Sequence, residues 1–218
     1  MEKINQILMQ KYPFVNFEMG LPFDACEPII SKETLIHHYE YLNRYIVNIN
    51  FILSQYPKYQ NFTIMDIIMK HDEIEFNLRA KLLELAGGIF NHEFLFYLLT
   101  PPLKLKPKGN LLKKINKDFG SYENLKKKVI EVAFESIGSR YVGIVLDEFN
   151  NLKVVCFEKE TTPYVFSLKP LYMLDLFEHA YYLDEKQDVE KYIEKSFEVI
   201  DFEKIEGMYN EYVKSENL

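Results

Sequence analysis

Residues 174–183 read LDLFEHAYYL and place two groups with metal-binding chemistry inside a strongly apolar stretch. Asp175 and His179 stand four residues apart, each among aromatic and aliphatic neighbours. The short apolar run over residues 171–177 predicts a buried strand. A lone histidine in such a setting is usually a packed core residue, whereas a nearby carboxylate favours a metal site. The remainder of the chain decides between these two interpretations.

The chain before this stretch changes from a helical to a strand-like period. Residues 140–147 and 152–158 are rich in β-branched side chains and are separated by the turn residues 149–151, so they predict two paired strands. Amphipathic patterns predict helices on either side of the strands: one capped by Ser121, and two over residues 188–200 and 202–214. The second half is therefore expected to be an α/β unit.

The first half reads as helical. Ser31 is a good cap for a helix whose apolar positions are Leu35, Leu42, Ile46 and Ile49. Asn61 or Thr63 opens a short helix, and a long one is expected over residues 75–99. That long helix contains Gly87 and Gly88, which each cost about 1 kcal/mol relative to alanine. The glycine pair predicts that another element approaches the helix closely there.

A proline-rich connection separates the two halves. Pro101 and Pro102 end the long helix, and residues 107–110 form a second turn-rich segment. We predict an N-terminal helical domain over residues 1–101, in which residues 1–13 are an extension, and a C-terminal α/β domain over residues 109–218.

Composition argues against nucleic-acid-binding, membrane-spanning and secreted proteins. The 218 residues carry a net charge of −7, which argues against nucleic acid as a partner, and apolar runs are shorter than the roughly 18 residues of a membrane span. The start of the chain lacks the pattern of a secretory signal, so we expect a cytoplasmic protein, with a mitochondrial one as the alternative. Cys26 and Cys156 have no metal-type spacing and are expected to be reduced thiols.

Charge is unevenly distributed along the chain. Residues 104–128 hold nine lysines against two acidic residues, Asp118 and Glu123. This stretch is interpreted either as a solvated helix face or as a positive funnel for a small anion, because clustered charge accelerates the encounter with an oppositely charged ligand.

The five histidines are His37, His38, His71, His92 and His179. Their spacing matches no zinc finger, HExxH or EF-hand pattern. Several have apolar or aromatic neighbours, as in IHHYEYLNRY and AGGIFNHEF. From the residues alone the prediction is a His/Asp metal site assembled from distant segments.

Five motifs follow one another along the chain: LPFDACEPIISKET (21–34), IHHYEYLNRYIVNIN (36–50), AGGIFNHEF (86–94), KINKDFGSYENLKKK (114–128) and LDLFEHAYYL (174–183). In this order they resemble the iron/manganese superoxide dismutase family. The resemblance implies an α+β fold, in which an N-terminal helical hairpin domain is followed by a C-terminal α/β domain with a small antiparallel sheet. It implies disproportionation of superoxide to O2 and H2O2 at one Mn or Fe ion per subunit, in a homodimer or tetramer.

The resemblance also implies the ligands. His92, Asp175 and His179 fall on ligand positions, and the fourth ligand comes from His37 or His38. The upstream motif selects His38, whereas the downstream helix selects His37, which then precedes Tyr45 by the family's eight residues. We expect His37, because a deletion is easier at the start of a helix than in its middle.

Two residues are implied to act in catalysis. Tyr45 matches a gateway tyrosine, and Glu160 stands where manganese-type enzymes carry a glutamine before a proline, here Pro163. Gly88, at the position where iron-type enzymes place their glutamine, favours manganese. A carboxyl at position 160 can donate a hydrogen bond to bound solvent only when it is protonated.

Other family positions surround the site or the subunit interface. Glu178 and Tyr182 match interface residues, and Tyr41 replaces a histidine near the ligands. The family's tryptophans are absent, with Phe96, Tyr141 and Phe177 in three of their places, and Val189 replaces an arginine. These departures leave a second hypothesis open, a non-catalytic scaffold or metal-binding protein that retains the dismutase fold.

Overall fold

The structure is a computed structural model that describes residues 2–135 and 140–215. Its N-terminal part contains four α-helices: α1 (Glu2–Leu8), α2 (Lys32–Gln55), α3 (Ile64–Met69) and α4 (Phe76–Leu98). Its C-terminal part contains α5 (Gly109–Phe119), α6 (Tyr122–Glu135), β1 (Arg140–Leu146), β2 (Leu152–Glu158), β3 (Lys169–Asp175), α7 (Tyr182–Glu185), α8 (Val189–Ser196) and α9 (Phe202–Ser215). The predicted fold class, a helical domain followed by an α/β domain with a small antiparallel sheet, is confirmed.

The two long helices α2 and α4 form a hairpin. The Ser31 side chain accepts a hydrogen bond from the Thr34 N–H, as its position before the apolar stripe predicts. Helix α2 packs on α4. The buried apolar residues of α2 are Leu35, Leu42, Ile46, Ile49 and Leu53. Since α4 is buried along most of its second half, side chains from this part of the helix lie in the centre of the molecule.

Close approach at the glycine pair of α4 is confirmed. A Cβ added to Gly87 would lie 1.9 Å from the Glu160 carbonyl oxygen, and one added to Gly88 would lie 2.8 Å from the Tyr45 ring. Both distances are far shorter than a van der Waals contact. The missing side chains therefore let the segment after β2 and the ring of Tyr45 reach the backbone of α4.

The sheet has the order β2-β1-β3, and both pairings are antiparallel. Every residue of β1 is buried, because the strand lies between two others and helix α6 packs on it. The β1–β3 register places Tyr141 opposite Asp175. Helix α4 packs against β3, so His92 and the last residue of that strand approach each other.

The N-terminal extension is an integral part of the fold. Helix α1 buries Ile4 and Ile7 and packs against α3 and α4. Farther along, the Phe14 N–H donates to Asn50 Oδ1 and the Asn50 amide donates to the Phe14 carbonyl, both at 2.8 Å. These two hydrogen bonds hold the backbone at Phe14 against α2.

None of the described helices is both long enough and apolar enough to cross a membrane.

Substitution of Gly87 by alanine is expected to destabilise the protein by about 2 kcal/mol or more, since the new Cβ meets a backbone carbonyl that cannot rotate away. Gly207, inside α9, has nothing within 4 Å of an added Cβ. Gly207→Ala is the matched control and should be stabilising by up to about 1 kcal/mol. Urea unfolding followed by circular dichroism measures both. Equal stability of the two variants would contradict the packing described here.

Candidate metal centre

Four side chains from four segments converge in the centre of the molecule. His38 lies on α2, His92 on α4 and Asp175 at the end of β3, while His179 lies in the 3₁₀ turn Glu178–Ala180. One nitrogen or oxygen of each lies within 4.8 Å of the corresponding atoms of the others. The two helices supply two ligand candidates and the C-terminal half supplies the other two. Neither half contains the group by itself.

The carboxylate of Asp175 is the centre of this group. Its Oδ2 lies 3.1 Å from His38 Nε2, 3.0 Å from His179 Nε2 and 3.7 Å from His92 Nε2. Its Oδ1 accepts a hydrogen bond of 2.7 Å from the Phe177 N–H. The backbone after the strand therefore holds one carboxylate oxygen, so that the other faces the three imidazoles.

His37, the expected first ligand, does not belong to this group, and His38 lies in it instead. The His37 ring packs edge-on against Tyr41 at 5.4 Å, and it lines a surface cavity together with Glu33 and Glu40. Helix geometry explains the difference. At about 100° per residue, a spacing of seven brings Tyr45 to within about 20° of His38, whereas a spacing of eight would leave it about 80° from the histidine. His38 and Tyr45 thus share one face of α2 without distortion.

Burial determines the charges of the group. It lowers the pKa of His38, although Asp175 partly opposes the shift, and it lowers the pKa of His92 to about 3. Burial also opposes ionisation of Asp175, but hydrogen bonds with His179 and His38 outweigh it and hold the pKa of this carboxyl below its usual range. At neutral pH, the imidazoles of His38 and His92 are therefore uncharged potential metal ligands beside an ionised carboxylate.

The tautomer of His92 shows that a cation fits this group. Its Nδ1 lies 2.8 Å from the Gly88 carbonyl oxygen, which can only accept, so the ring proton sits on Nδ1. The bare Nε2 lone pair then faces the Asp175 carboxylate and lies 3.3 Å from His179 Nε2. Lone pairs directed at one another are stabilised by a cation between them. Three imidazole nitrogens and one carboxylate oxygen suit a first-row transition metal.

Tyr45 and Glu160 lie together beside His92. The Tyr45 hydroxyl donates to Glu160 Oε1 at 2.6 Å, and the Tyr45 ring centre lies 5.2 Å from that of His92. Glu160 is 2% exposed, and its Oε2 has no hydrogen-bond partner within the part of the chain that the structure describes. Burial, and next the charge of Asp175, raise the pKa of Glu160 to about 8. The carboxyl is therefore largely protonated at neutral pH and can donate a hydrogen bond.

Comparison with known proteins identifies the family. A model described as iron/manganese superoxide dismutases, alpha-hairpin domain, matches residues 14–100, and one described as iron/manganese superoxide dismutases, C-terminal domain, matches residues 107–208. The chain belongs to the iron/manganese superoxide dismutase family. The resemblance stated from the five motifs is thereby confirmed.

Relatives of both metal types are similar to this dismutase chain. A superoxide dismutase [Mn] of Thermus aquaticus is 31% identical over 199 residues, which cover 91% of this chain and 98% of the relative. A superoxide dismutase [Fe] of Legionella pneumophila is 32% identical over 186 residues, which cover 84% and 93%. A superoxide dismutase [Fe] of Bacteroides fragilis is 30% identical over 200 residues.

Aromatic side chains enclose the candidate ligands of this dismutase. The Tyr141 hydroxyl donates to Asp175 Oδ2 at 3.1 Å, Phe96 packs edge-on against His38 at 5.1 Å, and Phe177 stacks on His179 at 5.5 Å. These are the three residues that the family resemblance implies in tryptophan positions. Their contacts show that bulky rings still cover the group, although no indole donor is present.

Tyr41 also covers the group, and Glu178 and Tyr182 do not. The Tyr41 ring stacks on the His179 ring with centres 3.9 Å apart. Glu178, the first residue of the 3₁₀ turn, and Tyr182, just after it, are exposed on the surface. Their predicted role is at an interface with a second subunit. Neither residue belongs to the candidate ligand group of the single chain.

Two groups that contact residues of the candidate metal centre were not predicted from the sequence. The Gly88 carbonyl sets the His92 tautomer, and Arg44 places its guanidinium over Tyr41. Helical spacing could have found both, since Gly88 is four residues before His92 and Arg44 is three residues after Tyr41.

Replacement of His38 by alanine is expected to abolish stoichiometric binding of manganese or iron, since it removes one of four inward-facing donor atoms. His37→Ala removes an adjacent imidazole outside the group and is the matched control. It should bind metal like the unmodified protein. Mass spectrometry of metal content after reconstitution compares them, and the reverse pattern would restore His37 as the ligand.

Proposed function

We propose that this chain disproportionates superoxide to oxygen and hydrogen peroxide at one Mn or Fe ion held by His38, His92, Asp175 and His179. The supporting observation is the convergence of three imidazole nitrogens and one carboxylate oxygen within 4.8 Å, mostly buried and contributed by both halves of the chain. Membership of the dismutase family supports the reaction. A redox-active ion bound there supplies an electron acceptor for one superoxide and an electron donor for the next.

The protein tunes this chemistry through its charges and hydrogen bonds. Neutral His38 and His92 with an ionised Asp175 leave a dication only partly neutralised, which favours approach of an anion. The Gly88 carbonyl and the Tyr141 hydroxyl orient His92 and Asp175, so the donor atoms are positioned before metal arrives. Phe96 and Phe177 exclude water from the ligand rings.

Tyr45 and Glu160 are proposed to hold the protons that the reaction consumes. Formation of one H2O2 from two superoxide anions takes up two protons. In the metal-free chain Glu160 is largely protonated near neutral pH, its Oε1 accepts from Tyr45, and its Oε2 is available as a donor. The pair therefore holds a buried proton close to His92. The family resemblance implies a gateway tyrosine and a glutamine at these two positions.

Manganese is the metal we favour. Gly88 leaves no side chain on α4 at the position implied for the iron-type glutamine, and its space is filled by Tyr45. The corresponding group, Glu160, comes instead from the segment after β2, as the resemblance implies for manganese-type enzymes. Similar relatives carry both metal names, so reconstitution must decide between the metals.

A homodimer, alone or paired into a tetramer, is the proposed assembly. Tyr182 and Leu183 are large side chains that are 46% and 40% exposed, and Glu178 lies next to them on the surface. Such a patch is typical of a subunit contact. Sedimentation equilibrium tests it, and a monomer at micromolar concentration would refute the assembly.

The cytoplasm is the proposed compartment, with the mitochondrion as the alternative. Within the described residues, no disulfide joins Cys26 to Cys156. The two thiols fit a reducing environment. Superoxide is the proposed partner of the site, and neither nucleic acid nor a membrane is proposed as a partner.

Reconstitution with one metal at a time tests the proposed function. Protein unfolded, stripped of metal and refolded with Mn or with Fe should bind about one ion per chain and accelerate superoxide decay with at least one of them. Binding of metal without acceleration would support the alternative, a scaffold that retains the dismutase fold. His92→Ala, which should bind no metal, is the negative control.

Glu160→Gln tests the buried carboxyl through stability. Between the ordinary pKa of 4.5 and the raised value of about 8, the folded chain keeps a proton that the unfolded chain has lost. The free energy of unfolding of metal-free protein should therefore fall with rising pH, by on the order of 1 kcal/mol per pH unit from this residue. The neutral amide removes that contribution. Urea unfolding of both proteins from about pH 5 to 8 gives the difference, in which the opposing slopes from His38 and His92 cancel. A constant difference between the proteins would show that Glu160 is ionised throughout.

A further inference from the structure

Arg44 holds a positive charge beside the metal centre. It is exposed on α2, and its guanidinium carbon lies 4.7 Å from the centre of the Tyr41 ring. That ring stacks on His179 with centres 3.9 Å apart and planes 10° from parallel. The guanidinium is thus one aromatic ring away from a candidate ligand, within about one Debye length (~8–10 Å) of it at physiological ionic strength.

The charge of Arg44 is not neutralised by a carboxylate. Within residues 2–135 and 140–215 it forms no ion pair, whereas Arg79 pairs with Asp72 at 2.9 Å. A cation–π contact holds a guanidinium in place without reducing its charge. Arg44 therefore presents a fixed, full positive charge.

The lysine-rich stretch over residues 104–128 is a weaker source of such a charge. Five of its nine lysines lie within ion-pair distance of carboxylates: Lys104 with Glu198, Lys108 with Glu203, Lys114 with Asp118, Lys126 with Glu123, and Lys128 with Glu131. The charge of these five lysines is largely balanced locally. The pairing of more than half of the lysines supports the interpretation of the stretch as a solvated helix face.

We propose that Arg44 is the residue that steers the anionic substrate to this metal centre. The chain carries a net charge of −7, which repels superoxide as a whole. An unpaired cation near the ligands opposes that repulsion where the anion must arrive and increases the rate of productive encounter. The inference rests on the proposed function for its substrate, and extends to any small anion that reaches the metal.

Three variants of the metal-loaded full chain test the proposal. Arg44→Gln removes the charge, Arg44→Lys keeps it, and Arg79→Gln makes the same charge change at an ion-paired site. We expect Arg44→Gln to lower kcat/KM for superoxide about three- to tenfold at low ionic strength and to flatten its salt dependence. Arg44→Lys should restore most of the rate, and Arg79→Gln should behave like the unmodified chain.

Azide affinity, measured by absorbance titration of the oxidised metal-loaded protein, gives a readout independent of turnover. Its Kd should rise about three- to tenfold in Arg44→Gln and remain near the original value in Arg44→Lys. Unchanged rates and affinities in Arg44→Gln would overturn the proposal. So would an equal loss in Arg44→Lys, which would assign Arg44 a packing role on Tyr41. Absence of turnover in an unmodified protein that still binds azide would refute the proposed function alone, and the azide series would still decide the role of Arg44.

Discussion

The position of one carboxylate oxygen organises the centre of this molecule. Asp175 Oδ2 lies near three imidazole nitrogens and also accepts from Tyr141, while Oδ1 is held by the backbone N–H of Phe177. A carboxylate without water is costly in a protein interior unless it is paired or hydrogen-bonded. Strand β3 places this charge in the interior. His38 on α2 and Tyr141 on β1 compensate it by hydrogen bonding to Oδ2.

The packing around that oxygen depends on residues without side-chain chemistry. Gly87 lets the Glu160 backbone touch α4, and Gly88 leaves space for the Tyr45 ring while its carbonyl accepts from His92. The two adjacent glycines thereby position Tyr45 and Glu160, the proposed proton-holding pair. The carbonyl of the second glycine also sets the tautomer of His92. The helix tolerates the glycine cost because its flanking residues are buried among apolar neighbours.

Much of the fold could be predicted from periodicity and caps. Ser31, the glycine pair and the two β-branched runs all lie in the elements that they predicted. The site required the family motifs, because His38, His92 and Asp175 are far apart in the chain and no local spacing connects them. His37 and His38 could not be separated by their neighbours alone. The angular position on α2 decides between them, and it depends on how the hairpin rotates against β3, which is a tertiary property. The Gly88 carbonyl and Arg44 were missed because main-chain acceptors and exposed cations look ordinary in a sequence.

The division of the candidate ligands between the two halves has a thermodynamic consequence. An ion that bridges α2 and α4 to β3 and the following turn binds tightly only when the halves are docked, so its binding free energy is added to the strength of their association. Bound metal would then raise the free energy of unfolding as well as supply the chemistry, and the metal-free chain would be more open to proteolysis.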